Sequence, residues 1–138
     1  MKKYLFIMLA IVSAFAVTAC SSSEEDTINH QIVGAWVNSN NIETTETTFN
    51  SNGTVTEIST SKRNGAKREF IGSFNINGDK LTINWEKYRD YNSVSKEWTG
   101  YTNDNETVVI TFVIKNNQLI FLSMEGEEQN SPIYHTRK

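Results

Sequence analysis

The chain carries one cysteine and one proline in 138 residues. One cysteine excludes an internal disulfide framework and a cysteine-based zinc cluster. The two histidines, His30 and His135, stand near opposite ends of the folding part of the chain and make a poor basis for a metal site. Positive charge is also short: 13 Lys and Arg face 16 Asp and Glu, so the basic face of a nucleic-acid binder is missing. There is no Gly-rich phosphate loop and no G-x-S-x-G, and no carboxylate pair stands in a recognisable catalytic motif. Nothing singles out a Ser or Thr nucleophile beside a histidine base. These absences argue against an enzyme, and no cofactor or metal is expected. Helical periodicity is absent too, since no stretch after residue 28 repeats apolar residues at i, i+3, i+4 and i+7.

Apolar residues do run together at the N-terminus. Lys2 and Lys3 are followed by a stretch from Tyr4 to Val17 that only Ser13 interrupts. Its length and flanks suit a secretory signal and are too short for a membrane span. The run ends Val17-Thr18-Ala19-Cys20, which resembles a bacterial lipobox. The resemblance implies removal of residues 1–19 and acylation of Cys20, with diacylglycerol on its thiol and a further fatty acyl chain such as palmitate. Each buried methylene adds ~0.8 kcal/mol to membrane affinity, so two or more chains anchor stably. Cleavage takes two basic residues and no acidic ones, which moves the formal charge from −3 to −5. Residues 20–29 then form an acylated N-terminus and a solvated tether, with Ser-Ser-Ser-Glu-Glu-Asp-Thr at its centre. Ser rather than Asp after Cys20 resembles lipoproteins sorted to the outer membrane. Ser followed by acidic residues also resembles a surface-display signal, so the periplasmic side and the cell surface both stay open. Asp26-Thr27-Ile28 resembles a short O-glycosylation motif at Thr27.

From residue 30 the pattern has period two. Nine strands are expected, over residues 33–37, 44–49, 54–60, 68–76, 81–85, 96–102, 106–115, 119–124 and 132–137. Asn52-Gly53, Asn77-Gly78 and Asn116-Asn117 supply the positive φ angles of tight hairpins. Phe70, Phe74 and Ile76 share one face of their strand, as do Leu81 and Ile83 of the next, and Val108, Ile110 and Phe112 of a later one; all eight are expected to be buried. Sequential antiparallel strands of this length make a meander, and closure into a barrel removes its edges. The expected fold is therefore all-β, an antiparallel meander closed into a small eight- to nine-stranded barrel over residues 30–138. A two-sheet sandwich is the alternative.

Gly34-Ala35-Trp36 at the start of the first strand resembles the G-x-W signature of lipocalins and the wider calycins. In that family the Gly lets the chain enter the barrel base, the Trp plugs it, and an Arg from a late strand stacks on the Trp. Arg137 is the matching residue, so Gly34, Trp36 and Arg137 are the expected closure set. The stretches at residues 49–55 and 78–83 resemble lipocalin-like domains of small bacterial lipoproteins. The T-D-Y motif before the seventh strand is missing, Thr102-Asn103-Asp104 being a poor match, and so is the long helix after the barrel.

The resemblance implies a lipid-anchored cell-envelope protein, expected to be monomeric, that binds a small hydrophobic ligand in or at the barrel mouth. The alternative is a protein-interaction or inhibitory module with a filled interior. Trp85, Trp98, Tyr101 and Phe112 are the candidate ligand contacts, and Tyr88 and Tyr91 add to the same aromatic cluster. If these strands point inward the aromatics line a pocket; if outward they meet a protein or glycan. Lys62-Arg63 and Lys67-Arg68 form a basic cluster on an otherwise acidic chain, either solvated hairpin charge or an anion-binding rim.

Overall fold

The computed structural model describes residues 30–127 and 131–138. The expected signal segment, Cys20 and the tether with Thr27 lie outside the described residues. Nine strands run in chain order: β1 (Gly34–Ser39), β2 (Glu43–Phe49), β3 (Thr54–Ser61), β4 (Lys67–Asn77), β5 (Lys80–Asn92), β6 (Glu97–Trp98), β7 (Thr102–Lys115), β8 (Gln118–Met124) and β9 (Ile133–Arg137). All pairings are antiparallel. Each strand pairs with the next, except that β5 passes over β6 to β7 and β9 returns to β1. Eight strands close into a barrel, and β6 hangs on the far end of β5. The all-β meander expected from the alternation is what the chain forms, and it closes as a barrel, not a sandwich.

Closure depends on a short seam. β1 and β9 share two residue pairs, Trp36 with Arg137 and Val37 with Thr136. The Lys138 amide adds a bond to the Ala35 carbonyl at 3.0 Å. Asn38 Nδ2 donates to the Tyr134 carbonyl at 2.8 Å, and Lys138 Nζ meets Glu46 Oε2 at 2.8 Å. The strongest link is made by side chains at the barrel base. Trp36 is fully buried, and its indole Nε1 donates to the Ile32 carbonyl at 2.7 Å. The Arg137 guanidinium lies 4.4 Å from the Trp36 ring centroid. It donates to the Val33 carbonyl at 3.0 Å and to the Gln31 carbonyl at 2.6 Å. Gly34 permits this approach: it sits at φ +129°, and a Cβ there would lie 2.8 Å from Arg137 Nη1.

The core fills that closed end. Trp36, Phe49, Val55, Ile76, Leu81 and Leu119 are essentially inaccessible, and Phe112 and Ile110 join them. Of the eight residues expected to be buried, Ile76, Leu81, Ile83, Ile110 and Phe112 are; Phe70, Phe74 and Val108 are half-buried. Phe70 and Val108 lie toward the open end, where the interior is not filled.

Three elements differ from the sequence reading, for one reason. The segment after Trp85 reads as a loop because the alternation of Leu81, Ile83 and Trp85 stops there. In fact β5 continues to Asn92 through a bulge: Gly72 faces Trp85 and Ile71 faces Lys87, which leaves Glu86 unpaired. The extra residue switches the inward parity from odd to even, and Tyr88 faces in beside Phe70. Opposite the bulge, β7 starts at Thr102, and its polar first residues pair with β5. The strand expected over 96–102 shrinks to the two residues of β6. Gly72 makes the bulge possible, since a Cβ there would fall 2.1 Å from the Asn84 carbonyl oxygen on β5.

The seam predicts a specific cost. Arg137→Lys keeps the charge but loses the planar stack and the forked donation to two carbonyls. It should lower unfolding free energy by about 1–2 kcal/mol, the scale of a cation–π contact between an exposed guanidinium and a buried indole plus a charged hydrogen bond. Urea denaturation followed by Trp fluorescence measures this, and a loss within ~0.5 kcal/mol, the scale of an ordinary surface change, contradicts it.

Candidate functional site

The interior changes character between the two ends of the barrel. Inward positions can be counted in steps of two from the buried Phe49 and Val55, which face each other at the β2–β3 hairpin. Toward the open end β2 presents Thr47, Thr45 and Glu43, β3 presents Glu57 and Ser59, and β1 presents Trp36 and then Asn38. This wall is polar. The facing wall comes from β5, β7, β8 and β9 and presents Ile83, Trp85, Val108, Phe121 and Ile133, all apolar. Between the walls lies a cavity of about 270 Å³, open at the mouth. The cavity is therefore two-faced by strand, and its floor is the packed core around Trp36.

Glu57 dominates the polar wall. Thr47 Oγ1 donates to Glu57 Oε2 at 2.9 Å and is, among the described residues, the hydrogen-bond donor to that carboxyl group. Burial pushes the Glu57 carboxyl above the ordinary carboxylate range; the Thr47 hydrogen bond opposes this, and the nearby Glu43 charge adds to it. His135 stands at the seam of the two walls, 4% exposed, so its ring is almost wholly withdrawn from water. Its ring packs 4.4 Å from Phe121 between centroids, and Nδ1 lies 3.3 Å from the Leu119 carbonyl. Burial lowers its pKa below the usual imidazole value, against the opposing effect of that backbone contact. A neutral ring donating from Nδ1 leaves Nε2 as an acceptor.

At the rim, Phe70 lies between Trp85, at 5.5 Å, and Tyr88, at 5.9 Å. Arg68 stacks on Tyr88 at 5.1 Å and forms a forked pair with Asp90, with donor–acceptor distances of 2.7 and 3.2 Å. Its charge is thus matched at the mouth by a carboxylate.

The sequence-predicted aromatics are not gathered in one place. Trp85 lines the cavity. Phe112 is buried in the core and does not line it. Trp98 and Tyr101 lie on the outer face, because Tyr91 and Arg89 follow the bulge at outward parity. There the Arg89 guanidinium sits 4.5 Å from the Trp98 ring and 4.7 Å from the Tyr101 ring. Arg89 Nε and the Tyr101 hydroxyl both donate to Glu69 Oε2, at 2.5 and 3.0 Å. The cluster clamps β6 and the following loop against β4 and β5. Its Tyr101 hydroxyl is harder to ionise than usual, first through desolvation and then through the bond to Glu69. The closure set is assembled at the opposite end from the mouth: Gly34, Trp36 and Arg137 are in mutual contact. His30 is in a helical lead-in over residues 30–32 and is exposed. Among the described residues, no group of three or more His, Cys, Asp or Glu side chains is arranged to hold a metal ion.

Residue type alone does not single out Glu57, Thr47, Glu43 and His135, which line the cavity. The signal for the first three is parity: one and three steps of two from Phe49 reach Thr47 and Glu43, and one from Val55 reaches Glu57.

The buried His135 and the half-buried Glu57 predict opposite pH effects on stability. His135 is depressed, so the unfolded chain binds more protons between its folded pKa and ~6.5. Stability is therefore highest above that value and falls as pH drops through the window. Glu57 is raised, so the folded chain holds its proton longer. Its effect is the reverse: stability falls as pH rises from ~4.5 through the folded pKa. The charged and titratable groups facing this cavity are Glu43 on β2, Glu57 on β3, His135 on β9, and, at the rim, Tyr88 with Arg68 and its partner Asp90. Thermal unfolding from pH 4 to 8, an interval of about two units either side of the neutral-acid midpoint, should show the acid-side loss disappear in His135→Phe. In Glu57→Gln the loss on raising pH should disappear instead. A His135→Phe profile parallel to the wild type contradicts the assignment. No protein-family model, curated protein or solved structure matches this chain.

Proposed function

We propose that the protein is a lipid-anchored, lipocalin-like binding protein of the cell envelope that takes a small ligand with an apolar body into the barrel mouth. The observation that carries this reading is the open cavity of about 270 Å³ between an apolar and a polar wall. A well-packed barrel of eight strands has inward side chains enough to fill itself. Here the large residues sit at the base, and Thr, Ser and Glu occupy the upper positions of β2 and β3. The volume is at the small end of ligand pockets. Scaling from a ~150 Å³ cavity that holds benzene gives room for roughly ten non-hydrogen atoms, which suits a small or short-chain ligand.

The cavity is read as a binding site and not a reaction site. Its histidine is held by a backbone carbonyl, and its carboxyl group by a threonine hydroxyl. Anchoring through Cys20 adds a direction. Residues 31 and 33 are pinned by Arg137 at the closed end. A tether arriving there turns the mouth away from the bilayer, toward soluble ligand. The monomeric state, the outer-membrane location, and the periplasmic or surface side belong to the same proposal. A second reading, a protein-interaction module, draws on the outer face of β7 to β9, where Val113, Leu122 and Tyr134 are exposed.

Two experiments test the reading. Titration calorimetry with n-octanol, a neutral probe of suitable size, should show one saturable site. Val108→Trp, which fills the cavity, should remove that site while the fold is retained; octanol binding unchanged in this variant counts against it. For the anchor, Cys20→Ala should release the protein from the membrane fraction, and continued retention would refute acylation at that residue.

A further inference from the structure

We propose that the mouth cavity selects small amphiphiles bearing a protonated amine, with the ammonium group at Glu57 and the apolar body against Ile83, Trp85 and Phe121. This rests on the cavity being a ligand site, and goes on to name what it takes.

The argument is one of charge sign and unmet hydrogen bonding in a partly dry space. Fourteen residues line the cavity, and neither Lys nor Arg is among them; the charged groups are the carboxylates Glu43 and Glu57. The nearby guanidinium groups are committed elsewhere. Arg68 is paired with Asp90 at the rim, Arg89 with Glu69 on the outer face, and Arg137 with backbone carbonyls at the closed end. A fatty-acid carboxylate inside the cavity would meet two like charges and no partner. An ammonium group meets the opposite arrangement. The Thr47 hydroxyl holds Oε2 and so orients the Glu57 carboxyl group, leaving Oε1 for a guest. A charge-assisted hydrogen bond there is roughly twice as strong as a neutral one. It also compensates a carboxylate that burial otherwise disfavours. The other polar wall groups, with the His135 Nε2 acceptor, suit a donor-rich headgroup. Trp85 and Phe121 supply aromatic faces for an apolar or aromatic body.

The test compares three probes of one chain length, n-octylamine, n-octanol and n-octanoate, by titration calorimetry at neutral pH on the purified protein. The amine should bind about tenfold or more tighter than the alcohol, and the carboxylate about tenfold or more weaker, each a step of one decade in Kd. Glu57→Gln should bring the amine to within about threefold of the alcohol, since the charge-assisted contact is lost. The wild-type series decides the question even if that variant fails to fold. Octanol binding with no amine preference, or with octanoate equal or tighter, overturns this proposal and leaves the ligand-binding reading standing. An amine preference that survives in folded Glu57→Gln overturns the role of Glu57. Absence of binding by all three overturns both readings together.

Discussion

The barrel stands on the contact between Trp36 and Arg137. A meander of antiparallel strands has two edges, and here they meet over only two residue pairs. Backbone pairing of that length is a weak closure. The indole and guanidinium add a planar stack at 4.4 Å and fasten the lead-in chain through two carbonyls. One arginine therefore plugs the base, joins first strand to last, and fixes where the N-terminal segment arrives. The large apolar residues then pack above the indole, and the polar residues are pushed to the far end.

That division creates the cavity. Bulk is spent low in the barrel, on Trp36, Phe49, Ile76, Leu81 and Phe112. The upper inward positions of β2 and β3 are short or charged and cannot close the space. A buried carboxyl group is costly without a partner, and Glu57 has a single hydroxyl donor among the described residues. Its inward position adds polar surface to a space that the apolar residues leave open. The pocket is thus a local exception to the apolar interior, built on the rigid frame of the hairpin rather than on a loop.

The aromatic-rich segment around Trp98 shows how a composition signal can be real and still misplace a site. Its residues do cluster, but around Arg89 and Glu69 on the outside, where they brace β6 and its loop. Burying Glu69 at an outward position works because Arg89 and the Tyr101 hydroxyl both donate to it. The cause of the reversal is one residue, Glu86. By standing unpaired it sends Tyr88 inward and Arg89 and Tyr91 outward.

The sequence by itself determined most of the strands and their antiparallel order, and its resemblance to the G-x-W signature pointed to the closure residues. Alternation at Phe70–Ile76, Leu81–Trp85 and Val108–Phe112, with Asn and Gly at the hairpins, is a local property written in period two. Gly34, Trp36 and Arg137 could be named through the resemblance to the G-x-W signature, in a meander whose closure makes its ends neighbours. Only the tertiary structure decided which parity faces in beyond residue 85, and so which side chains line the cavity. A bulge changes parity without changing composition, and nothing in Trp85-Glu86-Lys87 marks the unpaired residue. The polar wall was hidden for a related reason: Thr, Ser and Glu on β2 and β3 carry no apolar alternation from which the inward face could be told. Phe49 and Val55 set that face once the barrel closes, and its polar residues become the lining of a cavity.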